Sequence, residues 1–306
     1  MGTVNPSLEQ AYLQTFENNF KRCIQQTDSR FLSTPAIQHM GIKGISNISR
    51  FGKTELVEVT GQRNPEKQYT QMSNDNRKSK SRRFTRTYLF DKYDHAVNFV
   101  CDPTGNMYQE LDSAKNRCTD RVISDAARGS VIMGRPDEAG VEVSAADDGV
   151  LYIDGTSNFD YSHVVTPAIR NFINNDINDQ NQFTLAITGS EHESLMNDEK
   201  FINSHYNGSK VIETGKVRKA SPFDIVLFAG TDNGVIQVDD PVLKEQNGIR
   251  ENLILAPHSI AFAVELGYLG IDKSTKHVNS YEVTIDVWFK ATRLDGKLVQ
   301  IVKSTI

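Results

Sequence analysis

The chain has 306 residues, with 34 Lys and Arg against 39 Asp and Glu, a formal net charge of −5, and 38% apolar residues. This mildly acidic balance argues against a free-standing nucleic-acid coat or a basic membrane binder. A chain of this size, in one large domain or two modest ones, buries about three quarters of its unfolded surface.

Three cysteines, Cys23, Cys101 and Cys118, form no CxxC pair, so neither a disulfide framework nor a zinc site is expected. The opening MGTVNPSLEQ carries no apolar h-region, and Pro6 stands where myristoylation needs Ser or Thr. No run approaches the roughly eighteen apolar residues of a membrane span. A soluble, intracellularly made protein with no membrane partner is expected.

Residues 7–26 read as an amphipathic helix: Ser7 and Gln10 make a capping box, and Leu8, Tyr12, Phe16, Phe20, Cys23 and Ile24 recur at steps of three and four. Residues 28–50 read as extended or irregular. Two β-like stretches follow, ELVEVT (55–60) and FTRTYLFDKYDHAV (84–97), around a polar middle of about two dozen residues. Together they predict a long β-hairpin that projects from the body.

The stretch DPTGNMYQELDSAKNRCTDRVISDAARGS then sets Asp102 as N-cap and Pro103 at the first helical position. Met107, Leu111, Ala114, Cys118, Val122 and Ala126 hold one narrow apolar stripe, and Gly129 or Gly134 ends the helix. Short strands are expected at 141–143 and 150–153, a second helix over about 163–176, a strand FTLAIT (183–188), and a short helix over 190–201 capped by Ser190 with Glu193 as partner. PFDIVLFAG and ENLILAP read as buried strands, and HSIAFAVELG as a helix or strand. In YEVTIDVWFKATRLDGKLVQIV, Asp295-Gly296 predicts a hairpin turn between the last two strands. The fold class is α+β.

Several motifs invite chemistry without sustaining it. FGKT (51–54) has Asn47 where a phosphate loop needs its first glycine, and β-like sequence follows it. His192-Glu193 has Met196 where a zinc-protease helix needs its second histidine. Gly189-Ser190-Glu191 lacks the second glycine of a nucleophile elbow. No pair of carboxylates stands out as acid and base. The expectation is no enzyme activity, no cofactor and no metal.

What stands out is NRKSKSRRFTR (76–86), with Arg77, Lys78, Lys80, Arg82, Arg83 and Arg86 in eleven residues. A solvated loop is the bland reading. Nucleic-acid binding through 76–86 is a second, although Phe84 is the only aromatic in the cluster. The third is docking on an acidic surface of a neighbouring subunit, with Asp147-Asp148 and Asp239-Asp240 as candidate acceptors, since the planar arginine fork binds carboxylates in pairs.

The order of elements resembles the major capsid proteins of tailed bacteriophages, whose HK97-like fold has an arm, a long hairpin, a helix opened by Asp-Pro, an α/β domain and returning strands. The local matches are Phe51-Gly52-Lys53 at the hairpin, the 102–130 helix, FTLAITGSEHESLMNDEKF and WFKATRLDGKLVQIV. The resemblance implies an N-terminal arm (1–45) and an extended β-hairpin loop (46–98). It also implies a peripheral domain with a long spine helix (99–140 and 273–306) and an axial α/β domain (141–272). It further implies self-assembly into hexamers and pentamers of an icosahedral shell around double-stranded DNA, held non-specifically. Portal and scaffold proteins would be further partners, with room for a cement or decoration protein. The protein would belong to the virion and be assembled in the host cytoplasm. On this reading Arg77, Lys78, Lys80, Arg82, Arg83 and Arg86 are subunit-interface residues.

Overall fold

A computed structural model describes residues 26–42, 46–52, 56, 58, 74–91, 104–134, 139–177, 182–198, 219–220, 222–230, 241–278 and 280–305. In chain order the strands are β1 (Ile37–His39), β2 (Ser46–Phe51), β3 (Asn74–Ser79), β4 (Arg82–Asp91), β5 (Val131–Met133), β6 (Val141–Val143), β7 (Leu151–Asp154), β8 (Phe183–Ile187), β9 (Lys219–Ala220), β10 (Phe223–Leu227), β11 (Lys244–Gln246), β12 (Ile249–Leu255), β13 (Ile260–Lys273), β14 (Ser280–Arg293) and β15 (Val299–Thr305). The helices are α1 (Thr104–Arg128), α2 (Thr166–Asn174), entered through a π-helical turn at Tyr161–Val165, and α3 (Gly189–Met196).

Three sheets result. The first runs β1-β13-β14-β4, the second is seven-stranded with β7-β15-β12-β8-β10-β9 and β11 beside β12, and the third runs β2-β3-β5-β6. α1 packs on the first sheet. Its Leu111, Val122, Ile123 and Ala127 meet Val283, Ile285, Val287 and Phe289 of β14. The α1 boundaries agree with the expected helix, which ends at Arg128, where Gly129 N–H donates to the Asp125 carbonyl. Its proposed cap at 102–103 lies outside the described residues.

The seven-stranded sheet is a shared wall, and period two assigns its faces. Leu253, Leu255, Val299 and Ile301 join the α1 core, whereas Ile254 and Val302 face Val164, Val165, Ala168 and Phe172 of the α2 layer. β8 is therefore buried at every position, and it runs parallel to β10. Phe172 and Phe183 stack at 4.3 Å between centroids within this second core.

Four expectations change. The described hairpin arms are β2 and β3, paired from Ser46↔Ser79 to Phe51↔Asn74; of the expected arms, most of 55–60 and all of 92–97 lie outside the described residues. β4 instead pairs with β14 over ten positions, from Arg82↔Phe289 to Asp91↔Ser280, so this part of the expected outrigger is folded onto its own body. The last two strands form no hairpin. Asp295 caps a short 3-10 turn (Gly296–Leu298), and β15 leaves for the second sheet between β12 and β7. α3 is capped by Thr188 with Glu191, two residues earlier than Ser190 with Glu193. The stretch HSIAFAVELG is strand from Ile260 on. The helix expected over 7–26, apart from Gln26, and residues 61–73 of the polar hairpin middle lie outside the described residues, while 74–79 of that middle form β3.

By sheet membership, 260–273 and 82–91 sit with α1 and β14, whereas 299–305 sits with the seven-stranded sheet.

Candidate subunit interface

The six cations of the basic run meet different fates. β3 alternates, and its period places Arg77 and Ser79 inward. The Arg77 side chain is 1% exposed and clasps Asp148, itself 2% exposed, through NH1–Oδ2 (2.9 Å) and NH2–Oδ1 (2.5 Å). Arg293 at the end of β14 donates Nε to the same carboxylate at 2.7 Å and NH1 to the carbonyls of Ala127 and Gly129 at the end of α1. One buried carboxylate thus joins the hairpin base, the end of α1, β14 and the turn before β7. Burial alone would raise the Asp148 pKa, but the hydrogen bonds and charges of Arg77 and Arg293 outweigh it and hold the carboxyl below its ordinary value. Burial is the main influence on Arg293 and lowers it. Arg77 is therefore enclosed within its own subunit, and Asp148 serves its own chain in place of the neighbour's cations expected above. Asp239 and Asp240 lie outside the described residues.

Lys78 is half-buried, while Lys80, Arg82, Arg83 and Arg86 are exposed. Along β4, period two separates the last three. Arg83 points to the face of the sheet opposite α1, which carries no helix among the described residues (the helix-free face). It forks onto Asp286 with Nε–Oδ1 2.8 Å and NH2–Oδ2 2.6 Å, and lies 5.5 Å from the Trp288 ring centroid. Its hydrogen bond and charge contact with Asp286 raise its pKa further. Arg82 and Arg86 point to the α1 side, over the rings of Phe84 (5.8 Å) and Tyr88 (5.9 Å). Those rings pack against the α1 core. Among the described residues no carboxylate forms an ion pair with either arginine. The same is true of Lys80.

The structure brings together side chains that sequence reading did not single out. On the helix-free face of β13–β14–β4, Thr87 and Thr284 hydroxyls meet at 3.0 Å, and Tyr268 donates its hydroxyl to Asp272 at 2.6 Å. A bulge at Gly267 shifts the register between Leu266 and Tyr268. A Cβ at Gly267 would fall 1.8 Å from the Trp288 ring, so the indole occupies the space the missing side chain leaves. The signal that could have found this face is the alternation of charged and apolar residues in β14, read with β4 as its partner.

Of the motifs weighed for chemistry, Gly189-Ser190-Glu191 and His192-Glu193 lie in α3, and Lys53 and Thr54 of FGKT lie outside the described residues. Thr188 and Glu191 close the capping box of α3. The buried Arg250 guanidinium donates to Glu191 (2.9 Å) and Glu245 (2.7 Å), and Ser304 donates to Glu191 at 2.5 Å. A cleft of about 650 Å³ beside them is lined by Asn158, Asp160, Ser194, Asn197, Asp198 and Ser304. Its acids are engaged locally: Asp160 accepts from the His163 N–H at 2.7 Å, and Asp198 from the Tyr161 N–H at 2.8 Å. Among the described residues no three His, Cys, Asp or Glu side chains converge as a metal site would require.

A family model described as phage capsid protein matches residues 8–305. No curated protein matches the chain. Among solved structures, the chain is similar to the cyanophage Pam1 capsid asymmetric unit at 14% identity and TM-score 0.65, covering 93% of this chain and 94% of that one. It is similar to the mature capsid of bacteriophage PhiM1 at 13% identity and TM-score 0.63, covering 95% and 91%. For the capsid of cyanophage P-SCSP1u the values are 11% and 0.63, over 100% and 95%. At these identities the likeness is one of fold.

Proposed function

Because the chain belongs to the phage capsid protein family, we propose that its work is mechanical, with many copies of a few weak contacts closing a shell. It is a structural protein and a component of the virion. Hexamers and pentamers of this chain form the icosahedral shell, assembled in the host cytoplasm, which encloses packaged double-stranded DNA held without sequence preference. A wall with a mildly acidic balance binds phosphate weakly and so does not resist packaging or release. Portal and scaffold proteins, and a decoration protein, are the further partners this reading admits.

The observation that carries the interface is the rim of β4. Lys80, Arg82 and Arg86 are exposed and without a carboxylate of their own among the described residues, at the edge of a sheet in a chain of net charge −5. An edge strand lined with cations is protected against indiscriminate pairing, and stays available to a surface of matching charge.

Negative-stain microscopy and light scattering of the purified, overexpressed chain test the reading. Closed shells with little DNA retardation at physiological salt are expected. A protein that stays monomeric at high concentration, and retards DNA with a log–log salt slope of about −3 for three phosphate contacts, would instead establish the nucleic-acid-binding alternative.

A further inference from the structure

The cations that pair with no carboxylate among the described residues and the carboxylates beyond the Arg83–Asp286 pair lie on opposite sides of one sheet. Arg82 and Arg86 stand on the α1 side of β4, as their Phe84 and Tyr88 contacts show. On the helix-free side, Glu265 faces Trp288 in the β13–β14 register, Asp272 faces Glu282, and Tyr268 faces Asp286. Arg83 is engaged with Asp286, and Lys290, on the same face by register, is only 1% exposed, so beyond that ion pair Glu265, Asp272 and Glu282 give the accessible part of the face its negative charge. Glu265, Asp272 and Tyr268 are exposed, Tyr268 at 41%. The aromatic surfaces beside them, Trp288 and Tyr268, are the kind on which a guanidinium stacks.

We propose that the helix-free face of β13–β14–β4, centred on Glu265, Tyr268 and Asp272, receives the Arg82–Arg86 rim of a second copy of this chain. This rests on the shell-forming reading above and names the acceptor surface within it. The occupant follows from charge and position. The face is acidic and aromatic, the rim is cationic, and the sheet between them keeps a copy from closing the contact on itself. Among the described residues each subunit therefore offers one cationic rim without a carboxylate and one acidic face without a cation for Glu265 or Asp272. Such a contact is heterologous: it propagates from copy to copy, and closes only through rotation about a symmetry axis. The single contacts are solvent-exposed and individually weak, so a closed shell gains its strength from their number. Trp, Tyr and Arg are also the side chains that most often carry binding energy at interfaces.

A charge exchange tests the pairing. R82E/R86E is expected to lose shells while keeping the wild-type melting temperature and circular dichroism. Adding E265K/D272K, which moves the cations to the acceptor face, should restore shells. In a second readout, an R86C/Y268C chain oxidised after assembly should give a ladder of covalent multimers on a non-reducing gel. If the four-fold exchange stays unassembled and the cysteine pair gives monomers alone, this pairing is wrong, although the basic rim remains an interface with another surface. If R82E/R86E builds normal shells, the rim itself is solvated decoration and both readings fall.

Discussion

At the scale of single residues, six cations that look alike in the sequence separate by burial. Arg77 lies inside and depends on Asp148, whose carboxylate also holds Arg293. Asp148→Asn would leave two buried guanidinium groups without a counter-charge, at a cost of about 3–5 kcal/mol, read as a lower urea midpoint for the unassembled subunit. The pH dependence has a definite sign. The folded pKa of Asp148 is depressed, and so is that of Glu191, where hydrogen bonds from Ser304 and Thr188 and the charge of Arg250 outweigh a larger single effect of burial. Their stabilisation is fully present above the ordinary carboxylate pKa of about 4, and disappears as pH falls through the depressed folded values. Denaturation of wild type and Asp148→Asn at descending pH should bring the two midpoints together in acid. Parallel curves would show that the clamp contributes no linkage. At Gly230 an added Cβ would meet the Arg250 guanidinium at 2.7 Å and Thr188 at 2.9 Å. Both are pinned, so Gly230→Ala should cost about 1–3 kcal/mol, visible in a thermal melt.

At the scale of elements, local pattern and long-range pairing differ in what a sequence exposes. The α1 stripe, the buried run of β8 and the strands at 223–227 and 249–255 are local. Leu111 and Val122 fill the core from the expected stripe with Met107, Cys118 and Ala126 beside them, whereas Ile123 and Ala127, one position further on, join it from outside that stripe. Partner choice is not local. Phe84 and Tyr88 share their face with Arg82 and Arg86 and alternate with Arg83, Thr85 and Thr87 on the other, and nothing nearby says that β14 takes β4 at ten positions. Asp295-Gly296 does turn the chain, but a Cβ at Gly296 would lie 2.1 Å from the Asp148 carbonyl oxygen, a tertiary approach that sends β15 to another sheet. Of the candidate interface, the cations were legible, and the split into a clamp residue, a face residue and a rim was not. The Gly267 bulge offers a test at this scale, because Trp288 is the chain's one tryptophan. Gly267→Ala must displace the indole from its seat and from Arg83, so the emission maximum should move to the red and stability should fall by about 1–3 kcal/mol. Unchanged emission would mean that the indole does not rest on the glycine.

At the scale of the whole molecule, the hairpin base is secured by its own subunit and the β4 rim is offered outward, so stability and assembly are assigned to different residues. Changes at Arg77, Asp148 or Arg293 should weaken folding first, and changes at Arg82 and Arg86 should weaken assembly alone. Assembly should also soften with salt, because the rim contacts are exposed and a Debye length shortens from about 10 Å at 0.1 M to about 3 Å at 1 M. Light scattering across that range would register the shift. The most direct test of the division is hydrogen–deuterium exchange on unassembled subunits and on shells of the same protein. Added protection should appear on assembly at 82–91 and 264–272, with 74–79 and 145–150 already protected in the free subunit and unchanged. Unaltered exchange at 82–91, with new protection confined to the clamp segments, would contradict it.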